Sequence, residues 1–121
     1  MSIDKSVEIH SSSIIDKDVR IGSNSKIWQW VHISKGAKIG SRCVLGQNVF
    51  VGSDVLIGDN VKIAGHSGIG SDINSDSIVQ SSLFAYDLKK FQRSNVLFKR
   101  LPEIVKKIEN IEKKIESKDN Q

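Results

Sequence analysis

From Ile3 to Ile69 every sixth residue is aliphatic: Ile3, Ile9, Ile15, Ile21, Ile27, Ile33, Ile39, Leu45, Val51, Ile57, Ile63 and Ile69. A period of six fits neither the helical turn of about 3.6 residues nor the two-residue alternation of an ordinary hairpin sheet. It fits a solenoid whose short parallel strands meet at tight corners.

The rest of each hexad supports this reading. Four positions beyond each aliphatic residue stands a small or β-branched one: Val7, Ser13, Val19, Ser25, Val31, Ala37, Cys43, Val49, Val55, Val61, Ser67 and Ile73. Strand side chains alternate between faces, so these residues point inward beside the next aliphatic one and fill a narrow core. The fourth hexad position is rich in Asp, Asn and Gly (Asp18, Asn24, Gly36, Asn48, Asp54, Asn60, Asp72), types that tolerate the positive φ of a sharp corner. Three hexads close a triangular coil of eighteen residues, and residues 3–74 make four coils. The expected fold is an all-β solenoid, a single-stranded parallel β-helix of about four coils over residues 1–74. A cap and linker over 75–86 and a C-terminal α-helical extension over 87–118 follow it. The period itself carries no hand, and crossovers between parallel strands are normally right-handed.

Composition narrows the setting. No hydrophobic run is long enough to span a membrane, and the polar start MSIDKSVEIH is not a signal peptide. The lone Cys43 falls on an inward position, which reads as a small core residue and argues against a disulfide framework. Both point to a cytoplasmic protein. The net charge of +4 is uneven: residues 1–86 hold eight basic and eight acidic residues, residues 87–121 ten and six. The excess in the tail reads either as a solvated helix surface or as a landing site for an acidic partner. Nucleic acid is disfavoured, because the basic residues are not interleaved with stacking aromatics.

From Asp87 the pattern turns helical, with Asp87 as candidate N-cap and Pro102 either starting a second helix or kinking one. Leu97, Leu101, Ile104, Ile108, Ile111 and Ile115 are spaced four, three, four, three, four, which is a heptad seam. With Leu101, Ile108 and Ile115 at a and Leu97, Ile104 and Ile111 at d, isoleucine dominates the core positions, and that favours trimers or tetramers over dimers. The expected assembly is a homotrimer. The alternative is an amphipathic helix folded back on its own solenoid.

Sorting outward residues into columns eighteen apart separates the three corners. The corner after Ile9, Ile27, Leu45 and Ile63 carries Ser11 and Ser12, Gln29 and Trp30, Gln47 and Asn48, Gly65 and His66, while the other two corners are charged. Beside it run Trp28 on one side and the column Ile14, His32, Phe50, Gly68 on the other. An uncharged, aromatic edge is where subunits should meet, with Trp28, Trp30 and Phe50 as interface residues. His32 and His66 lie about 10 Å apart along the axis at ordinary strand spacing, too far to share a proton within one chain. In a trimer one chain's His66 could face its neighbour's His32 or Phe50. Zinc needs convergent ligands, and His10, His32 and His66 show no such spacing, so no metal is expected.

Two segments on this edge, IWQWVHI (27–33) and LGQNVFVG (45–52), resemble the hexapeptide-repeat N-acetyltransferases that acetylate the 3-amino group of nucleotide-linked sugars. KIAGHSGIG (62–70) and FKRLPEIVKKIENIEKK (98–114) are similar to the end of the UDP-3-O-acylglucosamine N-acyltransferase of lipid A synthesis. The resemblance implies a left-handed β-helix, a trimer, sites at subunit interfaces, and acetyl-CoA or acyl-(acyl carrier protein) as donor. Gln29 departs from the histidine usual in the acetyltransferases, and Gly65 and His66 replace their paired asparagines.

The expected function is therefore acyl transfer, most simply acetyl transfer, from a pantetheine thioester to the amine of a nucleotide-linked amino sugar for surface polysaccharide or lipid A. His66 is the candidate base and His32 its helper from the adjacent chain. Gln47, Asn48 and Gln29 would bind the acceptor. Gly65, Gly68 and Gly70 would let the donor's arm approach backbone donors that stabilise an oxyanion. The basic tail is the candidate seat for an acyl carrier protein. The rival is a non-catalytic trimeric scaffold, since twelve hexads without an insertion leave no room for lids.

Overall fold

The computed structural model describes residues 2–81 and 85–120. The chain divides into two compact units, Met1–Leu83 and Phe84–Gln121.

The first unit is a solenoid of two-residue strands. In order they are β1 (Ser2–Ile3), β2 (Glu8–Ile9), β3 (Ile14–Ile15), β4 (Arg20–Ile21), β5 (Lys26–Ile27), β6 (His32–Ile33) and β7 (Lys38–Ile39). There follow β8 (Val44–Leu45), β9 (Phe50–Val51), β10 (Leu56–Ile57), β11 (Lys62–Ile63), β12 (Gly68–Ile69) and β13 (Ile78–Val79). They form three parallel faces: β1-β4-β7-β10, then β2-β5-β8-β11-β13, then β3-β6-β9-β12. Register is one coil per step, with Ile9 against Ile27, Ile27 against Leu45 and Leu45 against Ile63. Each aliphatic residue points inward and the residue before it outward, as the two-residue period of a strand requires.

From the third corner to the eleventh the chain turns through one left-handed residue per corner. Asp18, Asn24, Trp30, Gly36, Arg42, Asn48, Asp54, Asn60 and His66 all have positive φ, between 55° and 78°. These are the fourth positions of nine consecutive hexads. The core is a stack of rings in which Val19, Ile21, Val31, Ile33, Leu45, Val49, Val51 and Val61 are 0–2 % exposed. Its polar members are satisfied from within: the Ser25 hydroxyl accepts the Cys43 N–H at 3.0 Å and donates to the Gly40 carbonyl at 2.9 Å. Burial pushes the Cys43 thiol above its ordinary pKa, and the nearby Asp59 carboxylate adds to that.

The last coil breaks the rule of eighteen. β12 still lies eighteen residues above β9, but Ile73 bridges to Ile57 and Val79 pairs with Ile63, sixteen residues on. Two residues are missing at the corner 70–72. The phase is thus lost one corner earlier than the hexads suggest: Ile73, expected as an inward neighbour above Val55, instead extends the first face. Asp72 is not left-handed, and Asp76 takes that role with φ 65°. Side chains stand in for the absent backbone: the Leu56 N–H donates to the Asp72 carboxylate, and the Asp59 N–H to the Ser75 hydroxyl, both at 2.8 Å.

The second unit holds α1 (Leu88–Lys99) and α2 (Leu101–Asp119). The Asp87 carboxylate caps α1 by accepting the Lys90 N–H at 3.3 Å. Pro102 lies in the first turn of α2, where its missing N–H costs nothing, and its ring is incompatible with a helical Phe98 carbonyl four residues back. The break at Arg100 places Leu97 on α1, so the heptad seam is continuous only from Leu101 to Ile115. Neither helix contains a buried residue. Along the seam Leu101, Ile108, Ile111 and Ile115 are 45–57 % exposed.

Candidate functional site

The corner between the second and third faces holds most of the residues that sequence singles out. Its left-handed column reads Trp30 (φ 59°), Asn48 (φ 61°) and His66 (φ 65°) from the second coil to the fourth. Backbone bonds stack them: the Asn48 N–H donates to the Gln29 carbonyl at 3.0 Å and the His66 N–H to the Gln47 carbonyl at 2.8 Å. In the first coil the Ser12 hydroxyl serves instead, accepting the Trp30 N–H at 2.9 Å. Asp, Asn and Gly enter this conformation at little cost, whereas a bulky L-residue held there stores about 1–3 kcal/mol of strain. Two of the three residues in this column, Trp30 and His66, are of the costly kind. Trp30 is 63 % exposed and His66 is exposed as well, so burial in this chain does not repay that strain.

Gln29, Gln47 and Gly65 form the adjacent column. Gly46 is required for that stacking, because a β-carbon there would lie 2.7 Å from the Gly65 nitrogen. Gly68 and Gly70 differ: neither has positive φ, and a β-carbon on either meets nothing within 4 Å among the described residues. Neither conformation nor packing against those residues demands glycine at these two positions. The Gly68 N–H is already committed, donating to the Ser81 hydroxyl at 2.9 Å.

Around the corner on the third face, His32 sits between Ile14 and Phe50 in register. Its Nε2 lies 3.1 Å from the Asp16 carboxylate, and its ring meets Phe50 edge-on at 5.6 Å. The Asp16 carboxylate thereby fixes the orientation of the imidazole ring. Asp16 was not legible as a functional residue from the columns. The available signal is a separation of sixteen, which makes it the diagonal neighbour of His32 on the same face. His10 is also organised: its Nδ1 accepts the Ser12 N–H at 3.1 Å, so Nε2 carries its proton. With Glu8, Lys26, Trp28 and Gln29 it lines a shallow groove on the second face.

The structure thus stacks Trp30, Asn48 and His66 in one column, with Gln29, Gln47 and Gly65 in the next. Within one chain it does not join His32 to His66, whose coil bears Gly68, not His32, on the third face. The tail residues Leu97, Leu101, Ile104, Ile108, Ile111 and Ile115 belong to the separate helical unit. Among the described residues no group of three or more His, Cys, Asp or Glu side chains is placed to hold a metal. No helix among them is long and apolar enough to cross a membrane.

Residues 36–71 match the family described as bacterial transferase hexapeptide (six repeats), and residues 13–53 match the hexapeptide repeat of succinyl-transferase. Both describe transferase hexapeptide repeats, and together they cover residues 13–71 of the solenoid. Among solved structures, this hexapeptide-repeat protein is similar to the Neisseria gonorrhoeae serine acetyltransferase in complex with serine. That match has 21 % identity and a TM-score of 0.50, and covers 70 % of this chain and 41 % of that one. It is also similar to the Entamoeba histolytica serine acetyltransferase isoform 3 in complex with cysteine, at 26 % identity, TM-score 0.40 and coverage of 71 % and 36 %. A third is PerB of Caulobacter crescentus in complex with CoA and GDP-perosamine, at 17 % identity, TM-score 0.28 and coverage of 62 % and 54 %. The hexapeptide-repeat protein therefore spans little more than half the length of these structures at most. A comparison with curated proteins gives no match.

Proposed function

We propose that this protein is a homotrimeric, cytoplasmic acyltransferase that moves an acyl group, most simply acetyl, from a pantetheine thioester to the amine of a nucleotide-linked amino sugar. The observation that carries the reading is the exposed column Trp30, Asn48 and His66 at an uncharged corner, strained at Trp30 and His66, beside a histidine already paired to a carboxylate. Strain of this kind is kept where function needs the side chain.

In the reaction the neutral amine attacks the thioester carbonyl, a C–N bond forms, the nitrogen loses a proton to a base, and the tetrahedral intermediate collapses with expulsion of the thiolate. His66 serves as that base, with Asn48, Gln47 and Gln29 holding the acceptor. His32, oriented by Asp16, assists across the subunit boundary. The smooth backbone at Gly68 and Gly70 supports a donor arm lying against it, since none of the described residues occupies that space. With the Gly68 N–H engaged by Ser81, an oxyanion would be met by the neighbouring backbone at Gly70. The donor is acetyl-CoA or an acyl-(acyl carrier protein), the latter favoured by the basic tail.

The test is incubation with acetyl-CoA and a panel of UDP- and dTDP-linked amino sugars, following thiol release. Turnover on at least one sugar, falling by about 10²-fold or more in His66→Ala, is the expected result. Turnover unchanged by the substitution would remove His66 from the mechanism. A scaffold role is favoured by one observation: every strand from β1 to β12 is separated from the next by only four residues, which leaves no lid. Absence of both turnover and donor binding would select it.

A further inference from the structure

The basic excess of the chain is not spread over the helical unit but gathered on its first helix. Residues 88–102 hold Lys89, Lys90, Arg93, Lys99 and Arg100 and no acid, whereas residues 103–121 hold five cations and five acids. Arg100 pairs with Glu103 at 3.3 Å. Among the described residues the four cations of α1 itself meet no carboxylate. The same helix exposes large apolar side chains. Leu88, Phe91, Asn95 and Phe98 follow one another at three, four and three residues, so they share one face of α1. Leu88 and Phe98 are 66 % and 71 % exposed, and Phe91 is 45 % exposed. Lys90 and Lys99 flank this stripe on either side, while Lys89 and Arg93 lie on the far side with Val96 and Leu97.

The start of α1 is fixed locally. Beyond the Asp87 cap, Tyr86 packs edge-on against Phe91 with ring centres 5.8 Å apart, the arrangement that staples a helix entry. A twelve-residue helix with no buried side chain is nonetheless marginal in water. Its cover must be apolar toward the stripe and anionic toward the flanks. A second copy of α1 meets the first demand and repels by the second. A closed groove on an acidic protein meets both but buries the Asn95 amide, which costs free energy unless a partner is supplied. We infer that α1 is a membrane-surface anchor, lying in the headgroup boundary of an anionic bilayer. Leu88, Phe91 and Phe98 turn toward the acyl chains, the lysines and Arg93 toward lipid phosphates, and boundary water satisfies Asn95. At twelve residues α1 is about 18 Å long, too short to cross a hydrocarbon core of about 30 Å, so it lies on the surface. The inference is independent of the acyl-transfer chemistry and of the oligomeric state.

The experiment is sedimentation of the full chain with vesicles of phosphatidylcholine, alone or mixed with an equal part of phosphatidylglycerol. Binding should appear with the mixed vesicles, be at least about tenfold weaker with the zwitterionic ones, and fall away as salt is raised. Phe91→Ser with Phe98→Ser leaves every charge in place; Lys89→Gln with Lys90→Gln and Arg93→Gln leaves the stripe in place. Each set should lower binding by about tenfold or more. Because Phe91→Ser also removes the staple, Asn95→Cys carrying a polarity-sensitive dye reports on an otherwise unaltered helix, the buried Cys43 thiol staying unlabelled. Its emission should shift to the blue on the mixed vesicles. Failure to bind these vesicles, binding that survives loss of both phenylalanines, or a dye that stays in water while the chain is bound would overturn the inference. Capture of an acidic carrier protein in place of vesicles would do the same. None of these readouts depends on turnover, so the acyl-transfer reading stands or falls separately.

Discussion

His66 combines two properties that ordinarily compete: a side chain able to take a proton, and a backbone conformation that disfavours its own residue type. Replacing it by asparagine, which tolerates positive φ, should relieve the second while abolishing the first. His66→Asn is therefore expected to raise unfolding stability by about 1 kcal/mol in a chemical denaturation curve, with acyl transfer lost. A loss of stability would mean that the imidazole is held by contacts worth more than the strain. The same reasoning separates Trp30 and His66 from Asn48, whose residue type suits its φ at little conformational cost.

At the scale of the element, the corner depends on coils approaching more closely than any side chain allows. Gly46→Ala puts a methyl group 2.7 Å from the Gly65 nitrogen and 3.0 Å from the Ile63 carbonyl, so the third and fourth coils must part. A cost of about 1–3 kcal/mol is expected, read as a lowered melting temperature. No change would show that the fourth coil yields freely. The strands, corners and inward columns were legible in the sequence because each hexad repeats the same packing problem. The sixteen-residue coil was not: Ile73 satisfies an aliphatic position in either phase, and the bridge of Ile73 to Ile57 with the pairing of Val79 to Ile63 reveals which is used. Asp16 was missed for a related reason. Columns eighteen apart record direct neighbours across strands, and its partner His32 is a diagonal one. In the tail the heptad was plain, but Pro102 ends its continuity at Arg100, a local backbone conflict that a spacing rule does not register.

For the molecule as a whole, the distance between His32 and His66 within one chain makes a specific demand on the assembly. If each site takes one histidine from either side of a subunit boundary, His32→Ala and His66→Ala are separately inactive but complement one another. Random mixed trimers should then regain about a quarter of the parent turnover, because that fraction of boundaries has both histidines intact. Mixtures that stay inactive would place the whole site in one chain.

The constant step between coils also bears on how the chain finds its structure. Ile9, Ile27, Leu45 and Ile63 meet successively across loops of equal length, and among the described residues no strand pairing in the solenoid reaches further along the chain than eighteen residues. The entropy lost in closing a loop is therefore nearly the same for every coil added, and no pairing waits for a distant segment. Once two coils have formed, their upper edge is a ready template for the next eighteen residues, so growth can keep pace with synthesis from the ribosome.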